Sequence, residues 1–527
     1  MKNQVLEEAG DDGSDLDWSN GIARCAALVR QLERDIDVNS LKFRGFRIWP
    51  RIRTLLLFSY AFGFAGRVSF KRYKTLTTLS GLSSLDQSRI TQGLESAKEL
   101  DRIAKINAGR PLAFLGTTRR QARSGETLVD LLFDPLIDLV PDLRIAKLAI
   151  GKAEGDPAAT KGKSAAVVFD PDLVLAALAQ FEPAHEVFLA PDQNPRSIVN
   201  FEVLRRALPD EIAADFTETM LVKDATAIHR ASIVFRIYLE RAEPPFVLLS
   251  GQKRVNLAMT LAARQLGIPT VDIQHGAAAL SPNNIKWHSW TSIPDEGYEL
   301  LPDYFWVWGH QAAKLIDQSR NPRCGLHRPL VGGHPTLMSA LPSSLSEDYR
   351  NRAAAAEKVI LITLGHIKHG GLPPALIEAM STAPGGWRWL LRAHPLDWAS
   401  AEARKMVNSH LRSAGVQNCE ITETSSAFLH HVLEHVDWHV TPYSSCAVEA
   451  ASFGVPTIYI DPLASTLYDY LLEQPGYYFA TRADEIVRIV KTDSVAPAPF
   501  VEKSPDRARA ILHDLASPRS PSAARLS

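Results

Sequence analysis

The 527-residue sequence contains no Walker-type glycine loop, no apolar run long enough to cross a bilayer, and only four cysteines. Each absence excludes something. Without a G-x4-G-K-[ST] segment, phosphate is not expected to be held in the P-loop manner. The longest apolar stretch, Thr54 to Gly66, has 13 residues, short of the roughly 18–20 that a spanning helix needs. Cys25, Cys324, Cys419 and Cys446 show neither a pairing pattern nor metal-ligand spacing, as expected of a chain in a reducing cytosol. The segment Met1 to Trp18 is acidic and polar; it reads as a disordered tail and lacks the features of a signal peptide. Neither sign of charge is in excess, since 58 Lys and Arg face 59 Asp and Glu for a net charge of −1. That balance argues against general nucleic-acid binding.

What is present is ordinary for a soluble globular protein: 46% apolar residues and 22% charged ones. The length predicts two to four domains. Charge is unevenly placed, however. From Lys42 to Lys74 there are nine Lys or Arg and no Asp or Glu. Residues 20–105 read as helical, with apolar residues at i, i+3, i+4 spacing from Ile22 to Leu32 and again from Leu94 to Ile106. Between them lies the apolar run Leu55 to Phe62, with Arg44, Arg47, Arg51, Arg53, Arg67, Lys71 and Arg72 around it. Two readings stand: a core helix of a helical cap, or an apolar face with a basic rim resting on anionic lipid.

From about Pro111 the pattern changes to strands alternating with helices, which predicts parallel sheets. Strands are expected at Leu112–Gly116, Ala165–Phe169, Pro245–Gly251, Ile268–Ile273, Asp303–Gly309 and Leu330–Pro335, with a helix from Val255 to Leu266 closed by Gly267. Pro342 to Ala356 reads as a connector. A second set of strands follows at Val359–Gly365, Arg388–Arg392, Cys419–Ile421, Trp438–Thr441 and Thr457–Ile460. Order is expected to weaken after Tyr477, with Ala496-Pro497-Ala498-Pro499 as a linker and Ser517 to Ser527 as a disordered tail.

The chemistry concentrates at predicted strand ends. The stretch from Asp437 to Ile458 reads as strand, hydroxyl-bearing turn, helix, Gly-Val-Pro, strand. It places Ser444 and Ser445 at a helix mouth, where unpaired N–H groups favour an anion. Glu449 follows about one turn into that helix, placed to accept from a ribose. Upstream, the strand Arg388–Arg392 runs into His394-Pro395. Two such strand ends in one parallel sheet point at the same crevice, and together they read as a nucleotide cradle. Gln274-His275-Gly276 is a polar tip at another strand end. His366, Lys368 and His369 sit on a glycine-containing loop and are either donor-phosphate contacts or solvated. Asp15 and Asp17, and Asp170 and Asp172, mimic metal-binding pairs but are read as tail and as loop or helix cap.

These motifs resemble those of GT-B glycosyltransferases of bacterial surface-polysaccharide assembly. Kdo transferases, sialyltransferases and polysialyltransferases, which use CMP-sugars, share a His-Pro motif (here His394-Pro395) and a Ser/Thr-Ser motif (here Ser444-Ser445). Capsule-synthesis proteins carry Gln-His-Gly (here Gln274 to Gly276) and then Trp-x-Trp-Gly (here Trp306 to Gly309). The resemblance covers roughly residues 111–480. It implies an α/β chain of GT-B fold, with two Rossmann-like parallel-sheet domains facing a cleft and an N-terminal helical extension. The expected boundaries are a tail over 1–18, the extension over 19–110, the acceptor domain over 111–341, a linker over 342–357, the donor domain over 358–495, and a C-terminal helix and tail over 496–527.

The activity the resemblance implies is an inverting, metal-independent glycosyl transfer from a nucleotide-sugar, a CMP-sugar by preference, to a growing surface polysaccharide. It would take place at the cytoplasmic face of the inner membrane, with other assembly proteins as partners and no metal or cofactor. His394, Ser444 and Ser445 would contact the donor phosphate and Glu449 the ribose; Gln274 and Lys368 complete the expected binding set. The catalytic base stays open among His275, Asp295 (in Asp295-Glu296-Gly297) and Asp134. Other readings also remain open: a UDP-N-acetylglucosamine 2-epimerase-like enzyme, a CDP-glycerol-type phosphotransferase, and a non-catalytic assembly protein.

Overall fold

The structure is a computed structural model that describes residues 18–61, 87–116, 121–124, 127–149, 174, 197–214, 216–276, 289–339, 343, 345–364, 372–394, 401–492 and 494–517. Its strands are, in chain order, β1 (Lys42–Phe43), β2 (Phe46–Arg47), β3 (Leu112–Leu115), β4 (Gln121–Ser124), β5 (Thr127–Asp130), β6 (Ala146–Ala149), β7 (Val247–Leu249), β8 (Thr270–Ile273), β9 (Tyr304–Val307), β10 (Arg328–Val331), β11 (Lys358–Thr363), β12 (Trp387–Arg392), β13 (Cys419–Glu420), β14 (Trp438–Thr441), β15 (Thr457–Tyr459) and β16 (Tyr477–Phe479). β1–β2 and β4–β5 are antiparallel pairs. The rest form two six-stranded parallel sheets, ordered β10-β9-β8-β7-β3-β6 and β13-β12-β11-β14-β15-β16. The expected α/β architecture with two parallel-sheet halves is therefore present.

Both sheets carry apolar strands because helices cover both faces. The first sheet separates two clusters. One holds Phe114, Leu148, Val247 and Leu249, and the other Ala113, Leu115, Leu248 and Trp306. The second sheet does the same, with Ile360, Ile362 and Trp389 on one side and Leu361 and Leu390 on the other. A further cluster joins the halves. Phe305, Val307 and Trp308 pack with Ala447, Val448, Ala451 and Tyr459.

Several expected elements move. β10 begins at Arg328 and ends at Val331, so Gly332 to His334 lie beyond the strand and Pro335 opens a short 3-10 helix. The edge strand β6 and the β4–β5 pair were not legible, each strand having only four residues with polar ones among them. Order does not weaken after Tyr477. β16 pairs with β15, and the Ala483–Lys491 helix buries Ile486 and Val490. The segment past Ala496-Pro497 returns to the first half, where Glu502 N donates to Trp308 O at 2.8 Å. A Cβ on Gly309 would lie 1.9 Å from Phe500 O, so only glycine lets that return segment pass. The Pro505–Ala516 helix then packs on the first half, with Ala508, Leu512 and Leu515 buried beside Leu136 and Leu248.

The basic N-terminal stretch turns inward where it is described. Arg47 pairs with Glu296 and Glu299. Arg51 donates through Nε to Asp224 at 2.6 Å, both buried. Arg53 is fully buried 3.1 Å from Glu33, with its guanidinium 3.6 Å from the Trp290 ring centroid. Burial pulls the Arg53 pKa down to about 10, against the opposing charge of Glu33. The Trp49–Ala61 helix is thus a core helix over these positions, and the expected lipid-facing rim loses Arg47, Arg51 and Arg53. Arg67, Lys71 and Arg72 lie outside the described residues. Among the described residues no helix is long and apolar enough to cross a membrane.

Candidate functional site

In the second sheet the chain runs outward from β11 through β12 to β13, then restarts at β14 on the other side of β11. The carboxyl ends of β11 and β14 therefore flank a switch point, the place where open α/β sheets hold ligands. Ser444 and Ser445 follow β14, and His394 follows β12.

A hydroxyl and imidazole ladder braces this point from below. His439, fully buried, lies 2.8 Å from Thr363 Oγ1 through Nε2 and 3.0 Å from Thr457 Oγ1 through Nδ1. Burial pushes its pKa down to about 3, which keeps it neutral. Thr441 Oγ1 donates to Thr363 O at 2.8 Å and accepts from Ser444 N at 3.0 Å. The turn is thereby tied to the sheet.

Above the ladder the two serines differ. Ser444 Oγ accepts from Cys446 N at 3.2 Å, a local turn bond. Ser445 is the first cap residue of the Cys446–Ala451 helix yet makes no side-chain capping bond. Its Oγ instead faces the first half, where a Cβ on Gly276 would lie 3.6 Å away. The Cys446 thiol is pushed up to about 11, by burial first and by the charge of Glu449 second. It is not a thiolate nucleophile at neutral pH. Arg392 is half-buried, and burial lowers its pKa. It donates to Thr424 O and, at 2.7 Å, to Ala427 O. His394 is half-buried just beyond.

The carboxyl edge of the first sheet meets this helix. Gln274 is buried and internally used. Its Oε1 accepts from Trp308 N at 2.9 Å, its Nε2 donates to Gly276 O at 3.0 Å, and its carbonyl accepts from Trp308 Nε1 at 2.9 Å. These bonds make it a brace of the loop after β8. His275, half-buried, stands beside the turn after β7, where a Cβ on Gly251 would be 3.5 Å from its Cε1. Glu449 Oε1 lies 3.5 Å from His334 Nε2 across the boundary between the halves.

Two of the three expected bases are engaged in contacts of their own. Asp295 is exposed, accepts from Asn321 Nδ2 at 2.8 Å, and neighbours Arg323. Its loop is held through Glu296 O by Arg264 at 2.5 Å, at the end of the helix that enters β8. That is the amino edge of the sheet, opposite the cleft. Asp134 pairs with Lys147 and accepts from Asp130 N at 2.8 Å. Lys147 sits in register with Ala113, on the sheet face covered by the Phe133–Leu139 helix. Asp134 thus anchors that helix. Lys368, with His366 and His369, lies outside the described residues, as do Asp15, Asp17, Asp170, Asp172 and the expected strand Ala165–Phe169. Among the described residues no group of three His, Cys, Asp or Glu could hold a metal ion.

His334 is the site residue that sequence reasoning passed over. A signal existed, because His334-Pro335 repeats, at an end of the first sheet, the His394-Pro395 of the second. The ring of His334 packs against Trp308 with centroids 4.2 Å apart.

No protein-family model matches the chain, and no curated protein matches it. Among solved structures, S. aureus MnaA with UDP overlaps 77% of this chain and 95% of its own at 14% identity and a TM-score of 0.44. A putative UDP-N-acetylglucosamine 2-epimerase from Listeria monocytogenes overlaps 78% and 98%, at 14% identity and a TM-score of 0.48. A UDP-glucose:anthocyanidin 3-O-glucosyltransferase with UDP overlaps 78% and 94%, at 11% identity and a TM-score of 0.42. Likenesses of this depth assign neither chemistry nor substrate to the chain.

Proposed function

We propose that the chain is a nucleotide-sugar-dependent glycosyltransferase whose donor lies at the β11/β14 switch point. The observation that supports the reading is that Ser445 and Glu449, just past that point in the second half, meet Gly276 and His334 of the first. In this reading Ser445, Ser444 and His394 face the donor phosphate and Glu449 the ribose. When the sugar–phosphate C–O bond breaks, negative charge gathers on the departing phosphate. Donors fixed in place bind that charge more strongly in the transition state than in the ground state. The acceptor hydroxyl must lose a proton, and His275, next to Gly276 where the two halves meet, is the candidate base in this reading.

The finer assignments rest on the motif resemblance alone: a CMP-sugar donor, inversion, independence of metal, and a bacterial surface-polysaccharide acceptor. The test is calorimetric titration of the purified chain with CMP, CDP, UDP and GDP, with and without a chelator. Chelator-insensitive preference for CMP supports the CMP-sugar reading. Preference for UDP moves the assignment to a UDP-sugar transferase or 2-epimerase, and preference for CDP to a phosphotransferase. No binding of any of them overturns an enzyme reading in favour of an assembly role. In the same assay His394→Ala and the Ser444→Ala/Ser445→Ala pair are each expected to weaken nucleotide affinity about tenfold, the cost of one charge-assisted contact; unchanged affinity removes those residues from the phosphate site.

A further inference from the structure

We infer that His334 is a positioning residue for the donor ribose: it holds the Glu449 carboxylate from across the boundary between the two halves. The inference rests on the donor site proposed above and adds to it a residue from the other half of the molecule. The pair is secluded, with 6% of the His334 side chain and 15% of the Glu449 side chain exposed, and Nε2 and Oε1 3.5 Å apart.

The place of His334 is itself fixed from several sides. Its ring lies against the Trp308 indole, and that indole is pinned by Gln274. Its backbone N donates to Glu502 O at 3.2 Å, so the return segment of the chain holds it too. Half-buried Arg392, already bonded to two carbonyls, adds electrostatic attraction to Glu449 from the second sheet.

A carboxylate has about four lone-pair sites, so a contact with His334 leaves capacity for two ribose hydroxyls. A free glutamate side chain would lose rotamer freedom on binding a ligand, and one already held loses less. Ribose recognition then belongs to both halves of the molecule. A site reading the ribose in this way distinguishes a ribonucleotide from its 2′-deoxy form, because the missing hydroxyl leaves part of the carboxylate unmatched.

The experiment is titration of CMP and 2′-deoxy-CMP into the full-length protein, its His334→Ala and His334→Gln variants, and Glu449→Gln. If the first screen favours another nucleotide, that nucleotide and its 2′-deoxy form replace them. The wild type is expected to prefer the ribonucleotide about tenfold, the value of one hydrogen bond to a charged group. His334→Ala should bring the preference close to one by weakening CMP while leaving 2′-deoxy-CMP little changed. His334→Gln, whose amide keeps a donor, should restore most of it. Equal weakening of both ligands in the two His334 variants means a packing role and overturns the inference, as does an unchanged preference in His334→Ala. If the wild type binds no nucleotide, the donor site itself is refuted and the inference goes with it. If it binds with a ribose preference that His334→Ala retains, only the inference fails.

Discussion

Arg53 shows how far a single residue departs from its surroundings in sequence. It belongs to a run of nine basic residues without an acid, yet its side chain is fully buried against Glu33 and Trp290. Glu33 is also bonded to Trp49 Nε1 at 2.8 Å and Thr291 N at 2.8 Å. Removing one partner of such a pair leaves a buried charge behind, so Arg53→Ala should cost about 3–5 kcal/mol of unfolding free energy. Denaturant unfolding checks this; a loss within the range of exposed ion pairs, below about 1 kcal/mol, would mean that the pair is solvated. Gly309 is the opposite case, a residue defined by what it lacks. Its alanine variant sets a Cβ against Phe500 O and should cost about 1–3 kcal/mol through overpacking, read as a lowered thermal midpoint. Neither contact is local, so neither was legible in the residue's own neighbourhood.

At the scale of elements, strands with long apolar runs were legible and short or distant ones were not. β11 and β12 announced themselves through the apolar runs Val359–Ile362 and Trp389–Leu391, because a parallel strand covered on both faces is mostly apolar. β6 at an edge and β16 after a glycine-bounded turn carry too few residues for a pattern to develop. The Pro505–Ala516 helix has clear sequence signals, Ser504 as cap with Pro505 at the first position. Its docking partner, however, lies more than 360 residues away, as the Arg509–Leu139 bond shows. Deleting residues 504–527 uncovers Leu136 and Leu248 and loses the burial of Leu512 and Leu515. At about 1.5–3 kcal/mol for each buried leucine, the truncated chain should lose about 3–6 kcal/mol. Thermal unfolding with a dye that binds exposed apolar surface measures it, and an unshifted transition would show that the helix is dispensable.

For the whole molecule, buried histidines set the response to acid. Burial pushes His229, His327 and His430 down to about 4 and His439 to about 3. An unfolded chain takes up protons at these rings near pH 6.5 while the folded chain refuses them. Their contribution is therefore complete above about pH 6.5 and lost progressively as the pH falls toward 4. Asp130 opposes this, since burial raises it to about 6 and its folded form gains stability as the pH falls through that value. Four rings against one carboxyl predict a net loss, visible as a thermal midpoint that drops steadily from pH 7 to pH 5; a flat profile would mean that these rings titrate normally. The sequence by itself determined the alternation of strand and helix, the two parallel sheets and the polar residues at strand ends, because periodicity and apolar runs are local consequences of burial. Only the tertiary structure decided which strand ends meet. It sent Asp295 to the amino edge of its sheet, bound Asp134 to Lys147, used up Gln274 as a brace, and set His334 against Glu449. Those outcomes depend on strand order and on how two sheets pack, and no residue's neighbours in the chain encode either.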